Sequence, residues 1–307
     1  MTSSTPSLPT SGPGNCRGMT EGVAWRALAR EAERRLKAAG APSPAVDARR
    51  IVERASGLEG GSYTLGLDEP ATARGVAFFD AMLERRIVGE PLQYVLGEWS
   101  FRTLDLMVDR RVLIPRPETE SVVEVALGEL DRLALPEPVV VDLGTGSGAI
   151  ALSMAAERRS ARVWATDESG DALDVARANL AGLGSAGARV TFDEGSWFDA
   201  LPDSLRGRVD LVVSNPPYVA ASDPLPREVA EWEPMSALVP GPTGLEAIEV
   251  ILAAAPSWLR RPGALVVELA PTQADAAVGL ALAAGFCEAT VHHDLTDRPR
   301  ALAARLA

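Results

Sequence analysis

The stretch VVVDLGTGSGAIAL, Val139 to Leu152, decides how the chain folds. Four apolar residues and one acid, Val139-Val140-Val141-Asp142-Leu143, run into the loop Gly144-Thr145-Gly146-Ser147-Gly148, and a helical pattern follows from Ile150. A short, nearly continuous apolar run suits a strand covered on both faces, the situation of a parallel sheet. Glycines open backbone angles closed to other residues and let a bound molecule approach the main chain. The helix start then presents N–H groups that have no intrahelical partner. A glycine-rich turn by itself can be a mere connection between strand and helix, so its meaning depends on what flanks it.

Both sides of this stretch continue the same alternation. Strands are predicted at Val139–Leu143, Arg162–Thr166, Arg189–Phe192, Leu211–Val213, Ala264–Glu268 and Glu288–His292. Helices are predicted at Ile150–Glu157, Asp171–Leu183, Gly244–Ala255 and Gln273–Ala284. Alternating β and α elements imply an α/β, Rossmann-like fold: a mostly parallel sheet with helices on both faces. Upstream the texture differs. Glu21 to Gly40 carries Val23, Leu28, Ala32, Leu36 and Ala39 at helical spacing. A second helix is predicted from Ser43-Pro44 to Gly57, and a third from about Glu69 to Val88 with Phe78, Phe79, Met82 and Leu83 as its apolar stripe. Between Glu98 and Ile114 aromatic and branched residues alternate loosely, as in a hairpin. The expected organisation is a disordered tail over 1–18, a small all-α domain over 19–95, a β-hairpin connector over 96–116 and the α/β domain over 117–307. Met19 is an alternative start.

The loop chemistry narrows the ligand. A dinucleotide site would read G-x-G-x-x-G, with pyrophosphate on the helix N-terminus. Here the glycines are one residue tighter, and Asp142 precedes them. A tighter loop suits a ligand without pyrophosphate, and an acid suits one with a positive charge. Asp167 closes the next strand, where a carboxylate can accept from both ribose hydroxyls. Trp197, after the third strand, offers an indole face to an adenine. S-adenosylmethionine combines a ribose, an ammonium group and no phosphate. The cofactor-binding residues expected from this loop and its flanking strand ends are therefore Asp142, Gly144, Thr145, Gly146, Ser147, Gly148, Asp167 and Trp197.

The fourth strand leaves through Asn215-Pro216-Pro217-Tyr218. Proline removes backbone donors and fixes φ, so this corner cannot continue a sheet ladder. It suits a substrate with a planar NH2 group. The Asn215 side-chain oxygen can accept one hydrogen, the Pro216 carbonyl the other, and the Tyr218 ring can cover one face. Asn215, Pro216, Pro217 and Tyr218 are the candidate catalytic residues. Glutamine and adenine both present such a nitrogen, and these four residues do not choose between them.

Composition excludes other classes. The 307 residues are 47 % hydrophobic, ordinary for a globular chain. No apolar run approaches the length of a membrane span, and the Ser/Thr/Pro/Gly-rich start lacks the apolar core of a secretion signal, so the expectation is a cytoplasmic protein without a membrane partner. Cys16 and Cys287 form no disulfide framework; His292 and His293, adjacent on a strand, point to opposite faces, and no metal site is expected. A net charge of −12 argues against a stable nucleic-acid partner.

With these residues in view, the chain resembles the class I SAM-dependent methyltransferases, whose amino-methylating branch carries an Asn/Asp-Pro-Pro-aromatic motif. Within it, the chain is similar to the release factor glutamine methyltransferase family from about Glu21 onward, through GEPLQYVLGEWSF, VLIPRPETE, DLGTGSGAIAL, NPPY, EPMSAL and TGLEAI. The most diagnostic stretch is LIPRPETE, Leu113 to Glu120; enzymes acting on a ribosomal-protein glutamine usually read differently after Ile-Pro-Arg. Departures are Glu268-Leu269-Ala270, where the family often has Glu-His-Gly, and the loosely matching final strands RPRALAARL. The resemblance implies a class I methyltransferase sheet and N5-methylation of the glutamine in the Gly-Gly-Gln loop of class I peptide release factors. S-adenosylmethionine would be the donor and S-adenosylhomocysteine the product, with Gly144 to Gly148, Asp167, Trp197 and Asn215 binding the cofactor and Asn215 to Tyr218 holding the glutamine. It further implies that the helical domain recognises the protein substrate, that Arg116 and Glu118 shape the cleft, and that the protein acts as a monomer. The alternatives are methylation of a ribosomal-protein glutamine or of a nucleic-acid adenine at N6, and a non-catalytic SAM-binding module. Adenine chemistry would require base extrusion and a phosphate grip, for which no Arg/Lys-rich domain is seen. Intact Gly144, Asp167 and Asn215–Tyr218 argue against a non-catalytic module.

Overall fold

A computed structural model describes residues 22–307. The expected tail over 1–18, Met19, Cys16 and the first residue of the first expected helix, Glu21, lie outside the described residues. Contacts divide the chain into two units, one ending at Ile87 and one beginning at Val88.

The first unit holds α1 (Trp25–Ala38), α2 (Pro44–Ser56), α3 (Gly60–Gly66) and α4 (Ala73–Ile87). Leu28, Ala32 and Leu36 of α1 are buried, whereas Val23 and Ala39 are exposed and Trp25 completes the face. Val23 precedes the helix and Ala39 is its cap, so neither follows the helical phase. Pro44 opens α2 at a position where a missing N–H costs nothing, and left-handed Gly57 closes it. The helix predicted from Glu69 starts later, at Ala73. Thr72 Oγ1 accepts from Gly75 N at 3.0 Å as the cap, and Pro70 is bridged to Ala24. Phe79, Met82 and Leu83 are buried, but Phe78 is 47 % exposed and falls outside the stripe. Residues 79, 82 and 83 share one face about 100° wide, and 78 lies beyond its rim although it is four residues from 82. Arg86 Nε donates to Asp47 Oδ2 at 2.7 Å, a buried ion pair between α4 and α2. Helix α3 went unforeseen because three of its seven residues are glycine.

The second unit runs α5 (Leu92–Leu96), β1 (Glu98–Phe101), β2 (Leu104–Met107), α6 (Pro117–Leu133), β3 (Val139–Leu143), α7 (Ala149–Glu157), β4 (Arg162–Asp167) and α8 (Gly170–Ala181). It continues with β5 (Val190–Glu194), β6 (Val209–Ser214), α9 (Arg227–Trp232), α10 (Glu246–Trp258), β7 (Leu259–Glu268), α11 (Ala274–Ala283), β8 (Glu288–His293) and β9 (Pro299–Leu306). Strands β1 and β2 form the expected hairpin, with Phe101 opposite Leu104. Helix α6 was absent from the sequence-based expectation. Its signals are nonetheless present: Pro117 in the first turn with Glu118 and Glu120, then Val122, Val123, Ala126, Leu127 and Leu130 turned into the core.

Seven strands make one sheet in the order β5-β4-β3-β6-β7-β9-β8. Strands β3 to β7 are parallel, and β9 runs antiparallel between β7 and β8. Strand β6 is buried at every residue, and one apolar cluster lies on each side of the sheet. Leu143 stands opposite both Thr166 and Ser214, and Ser214 opposite Val267. The carboxyl ends of β3, β4, β6 and β7 therefore finish side by side. Chain order reverses direction between β3 and β6, and a ligand crevice of an open α/β sheet forms at such a switch point. Among the described residues no helix is long and apolar enough to cross a membrane.

Candidate active site

An open cavity of about 1030 Å³, solvent-facing space included, sits over these strand ends. Its floor is the glycine loop after β3, and its walls come from the ends of β4, β5 and β6 and from the segment before α6.

The loop is built on Asp142. This carboxylate is fully buried; its Oδ2 accepts from Thr145 Oγ1 at 2.7 Å and from Ala151 N at 3.1 Å. Ala151 N is a free donor of the first turn of α7, which has no side-chain cap of its own. Asp142 thus caps α7 from the preceding strand while holding the loop beneath it. Its Oδ1 is buried with no hydrogen-bond partner, and Asp142 does not line the cavity. Its two hydrogen bonds are spent on loop and helix, and the structure does not bring it to the cavity wall with the other expected cofactor residues. Burial pushes its pKa up to about 7, against the two hydrogen bonds that favour the anion.

The three glycines have different duties. Gly144, at φ +71°, leaves room for the Trp197 ring, whose nearest carbon would lie 3.3 Å from an added Cβ. Gly148, at φ +85°, does the same for Leu152 and Ala176, and it faces the core rather than the cavity. Gly146, at φ +55°, has no protein atom near a notional Cβ; the space above it is the cavity. Thr145 and Ser147 also line it, and the Ser147 carbonyl accepts from Asn179 Nδ2 at 2.9 Å. Asn179 exchanges two further hydrogen bonds with the Met107 backbone, so α8 ties the hairpin to the glycine loop.

Asp167 lines the cavity from the end of β4. Its Oδ2 accepts from Gly146 N at 2.8 Å and its Oδ1 from Ser169 N at 3.0 Å. Each oxygen keeps acceptor capacity beyond that single bond. Burial raises its pKa, while the two backbone bonds pull the other way. Trp197 also lines the cavity, with φ +46°, an uncommon conformation for a bulky residue. Thr166 Oγ1 donates to its carbonyl at 3.0 Å and holds that turn against β4.

Of the Asn-Pro-Pro-Tyr corner, Asn215 and Pro217 line the cavity, whereas Pro216 is buried and Tyr218 stands outside the lining. The Tyr218 ring packs on the core cluster, and its hydroxyl donates to Glu268 Oε1 at 3.0 Å. The structure thus anchors the corner through this ring and hydroxyl and does not bring Tyr218 to the cavity wall beside Asn215. The Tyr218 carbonyl accepts from Gln273 Nε2 at 2.9 Å, and the same nitrogen donates to the Gly244 carbonyl at 3.1 Å. Gly244 has no room for a side chain, since a Cβ would lie 2.5 Å from that Tyr218 carbonyl. The TGLEAI segment is thereby explained: its glycine lets the corner close.

Sequence reasoning missed Thr119 and Glu268 as site residues. Asn215 Nδ2 donates to Thr119 Oγ1 at 3.2 Å, and Thr119 Oγ1 donates to Glu268 Oε2 at 2.7 Å. The available signal was an acid closing the strand beside the corner. Arg116 donates to buried Glu233 at 2.6 Å, and Ile114 N donates to the other oxygen at 3.2 Å. This pair fastens LIPRPETE to EPMSAL and is no loose surface contact. Neither Arg116 nor Glu118 lines the cavity; Pro115 and Thr119 do. Among the described residues no cluster of three or more His, Cys, Asp or Glu could hold a metal ion.

Residues 27–97 match the model of the PrmC N-terminal domain, and residues 126–230 that of the methyltransferase small domain. The release factor glutamine methyltransferase of Cereibacter sphaeroides is 42 % identical over 279 residues, covering 90 % of this chain and 96 % of that one. The protein of the same name from Xylella fastidiosa strain 9a5c is 45 % identical over 239 residues, covering 78 % and 84 %. Among solved structures, the hMettl16 catalytic domain in complex with a MAT2A 3'UTR hairpin superposes with a TM-score of 0.52 over 76 % of this chain and 81 % of that one. At 14 % identity this likeness concerns the fold.

The burial of Asp142 has a consequence for stability. Its folded pKa of about 7 lies above the ordinary 3.8, so the folded chain binds the proton more tightly than the unfolded chain. Its contribution is fully present below the unfolded value and is lost as the pH rises through the folded value. Denaturant unfolding at pH 5 and pH 8 should therefore show a smaller loss of stability across that interval for Asp142→Asn than for the unmodified chain. An equal or larger loss would contradict the assignment.

Proposed function

The chain belongs to the release factor glutamine methyltransferase family, and on that premise we propose that it transfers a methyl group from S-adenosylmethionine to N5 of the glutamine in the Gly-Gly-Gln loop of class I peptide release factors. The single observation that carries this reading is the juxtaposition of the glycine-loop floor, Asp167 and the Asn215 corner around one cavity at the switch point of the sheet.

The residues present fit the donor. Asp167 retains acceptor capacity for two ribose hydroxyls after its two backbone bonds. The open space above Gly146 admits a ligand against the main chain. Trp197 stands where an indole face can meet an adenine. The charged residues on the wall are Asp167, Glu168 and Arg111, and Arg111 is paired with Asp109. Such a wall suits a cationic ligand better than a pyrophosphate. When bound, S-adenosylmethionine supplies an electrophilic methyl group. Thr145 and Ser147 lie beside the same floor, and Asp142 and Gly148 act beneath it.

The acceptor amide is a weak nucleophile because its lone pair is delocalised. Asn215 Oδ1 accepts one amide hydrogen and the Pro216 carbonyl the other, which favours electron density returning to nitrogen as the bond forms. Pro216 and Pro217 stiffen this pair, so little ordering is left to the moment of binding. Tyr218 acts from behind through Glu268 and Gln273. Positioning supplies much of the remaining acceleration, since attack in line with the departing sulfur tolerates little misplacement. The helical first unit is proposed to recognise the protein substrate.

Three outcomes are expected. Purified protein should transfer labelled methyl from S-adenosylmethionine to a class I release factor, and Gln→Ala in the acceptor loop should abolish labelling; labelling of DNA or RNA adenine in place of the factor would overturn the reading. Asp167→Ala should weaken donor binding by about tenfold or more in calorimetric titration, as loss of a charged acceptor does; an unchanged Kd would remove Asp167 from the site. Asn215→Ala should lower kcat by about a hundredfold, the scale of losing one preorganised polar contact. Near-normal turnover there would discredit the corner's role.

A further inference from the structure

Behind Asn215 runs a short chain of polar groups whose direction is dictated by proton counting. Thr119, from α6, is 3 % exposed, and Glu268, closing β7, is 0 % exposed. Thr119 Oγ1 lies 2.7 Å from Glu268 Oε2 and 3.2 Å from Asn215 Nδ2; the Tyr218 hydroxyl lies 3.0 Å from Glu268 Oε1. A hydroxyl has one proton, and an ionised carboxylate only accepts. Facing an ionised Glu268, both hydroxyls must spend their protons on it. Thr119 can then only accept from its other neighbour, so the NH2 end of Asn215 is drawn to Thr119 and Oδ1 is left for the cavity. We propose that Thr119 and Glu268 are positioning residues whose donor–acceptor polarity turns the Asn215 amide oxygen toward the substrate nitrogen. This rests on the reading above only in requiring an acceptor with a planar NH2 group.

The reverse polarity is equally well defined. A protonated Glu268 becomes a donor: Oε2–H can donate to Thr119, Thr119 to Asn215 Oδ1, and the Asn215 NH2 then faces the substrate NH2, donor against donor. The groups facing Glu268 are Thr119 and Glu118 from α6, Tyr218 from the corner after β6, and Arg300 from β9 at 4.0 Å, itself 3.5 Å from Asp294. Burial dominates and raises the Glu268 pKa to about 7, Glu118 reinforcing the rise while Thr119, Tyr218 and Arg300 oppose it. Methyl transfer should accordingly fall as pH drops through about 7, with Glu268 carrying the acid limb.

The test is steady-state methyl transfer by the full chain between pH 5.5 and 9, with S-adenosylmethionine binding measured on each variant as a check of folding. Thr119→Val, which keeps the shape and removes the hydroxyl, should lower kcat about tenfold or more while leaving donor affinity within about twofold. Thr119→Ser should recover kcat to within about threefold of the unmodified chain. Glu268→Gln should flatten the acid limb as well as slow turnover. An unimpaired Thr119→Val, a Thr119→Ser as slow as Thr119→Val, or an acid limb that survives Glu268→Gln overturns the relay. If Glu268→Gln fails to bind the donor, the two Thr119 variants decide. Failure of the unmodified chain on release factor with activity on adenine would sink the proposed function and leave the relay to be judged by the same variants on that acceptor.

Discussion

One carboxylate oxygen, Asp142 Oδ2, holds the catalytic floor in shape. It accepts from Thr145 within the glycine loop and from Ala151 in the first turn of α7, so a strand, a loop and a helix meet at a single acceptor. The glycines allow the loop its left-handed angles, but permission is not specification; the buried acceptor selects one loop geometry from those permitted. The second oxygen is buried as well, so the whole carboxylate lies beneath the loop.

Two aspartates twenty-five residues apart illustrate how environment separates identical side chains. Asp142 sits under the loop and serves the fold, whereas Asp167 stands at the cavity edge with lone pairs still available. The same division runs through the Asn-Pro-Pro-Tyr corner. Asn215 and Pro217 face the cavity, while Tyr218 secures the corner through its hydroxyl and its carbonyl. A rigid acceptor pair thus depends on partners from β7, from the turn before α11 and from the TGLEAI glycine.

The alternation of strands and helices was legible because a buried parallel strand is written in a few consecutive apolar residues, and β3 was expected with its observed bounds. Helix α6 is hard to read because its first turn, Pro117 to Glu120, lies inside the polar connector LIPRPETE and its apolar stripe begins only at Val122. Phe78 and Val23 misled through composition: an apolar residue is buried only if the helical phase turns it inward. Thr119 and Glu268 were invisible as a pair because 149 positions separate them. Spacing rules describe neighbours along one element, and they carry no information about a helix and a strand end that meet over the sheet.

The amino-acid sequence by itself determined the α/β class, the glycine loop with its flanking acids, the proline-stiffened corner and the family, since each is written in contiguous residues whose local chemistry has few readings. Only the tertiary structure decided which of those residues face the cavity and which support it from behind. Asp142, Gly148 and Tyr218 stand outside the cavity lining; Asp167, Gly146, Trp197 and Asn215 face the space. The reason is physical: a side chain's role follows from what lies within hydrogen-bond reach of it, and here those neighbours come from strands that the sheet, not the chain, places side by side.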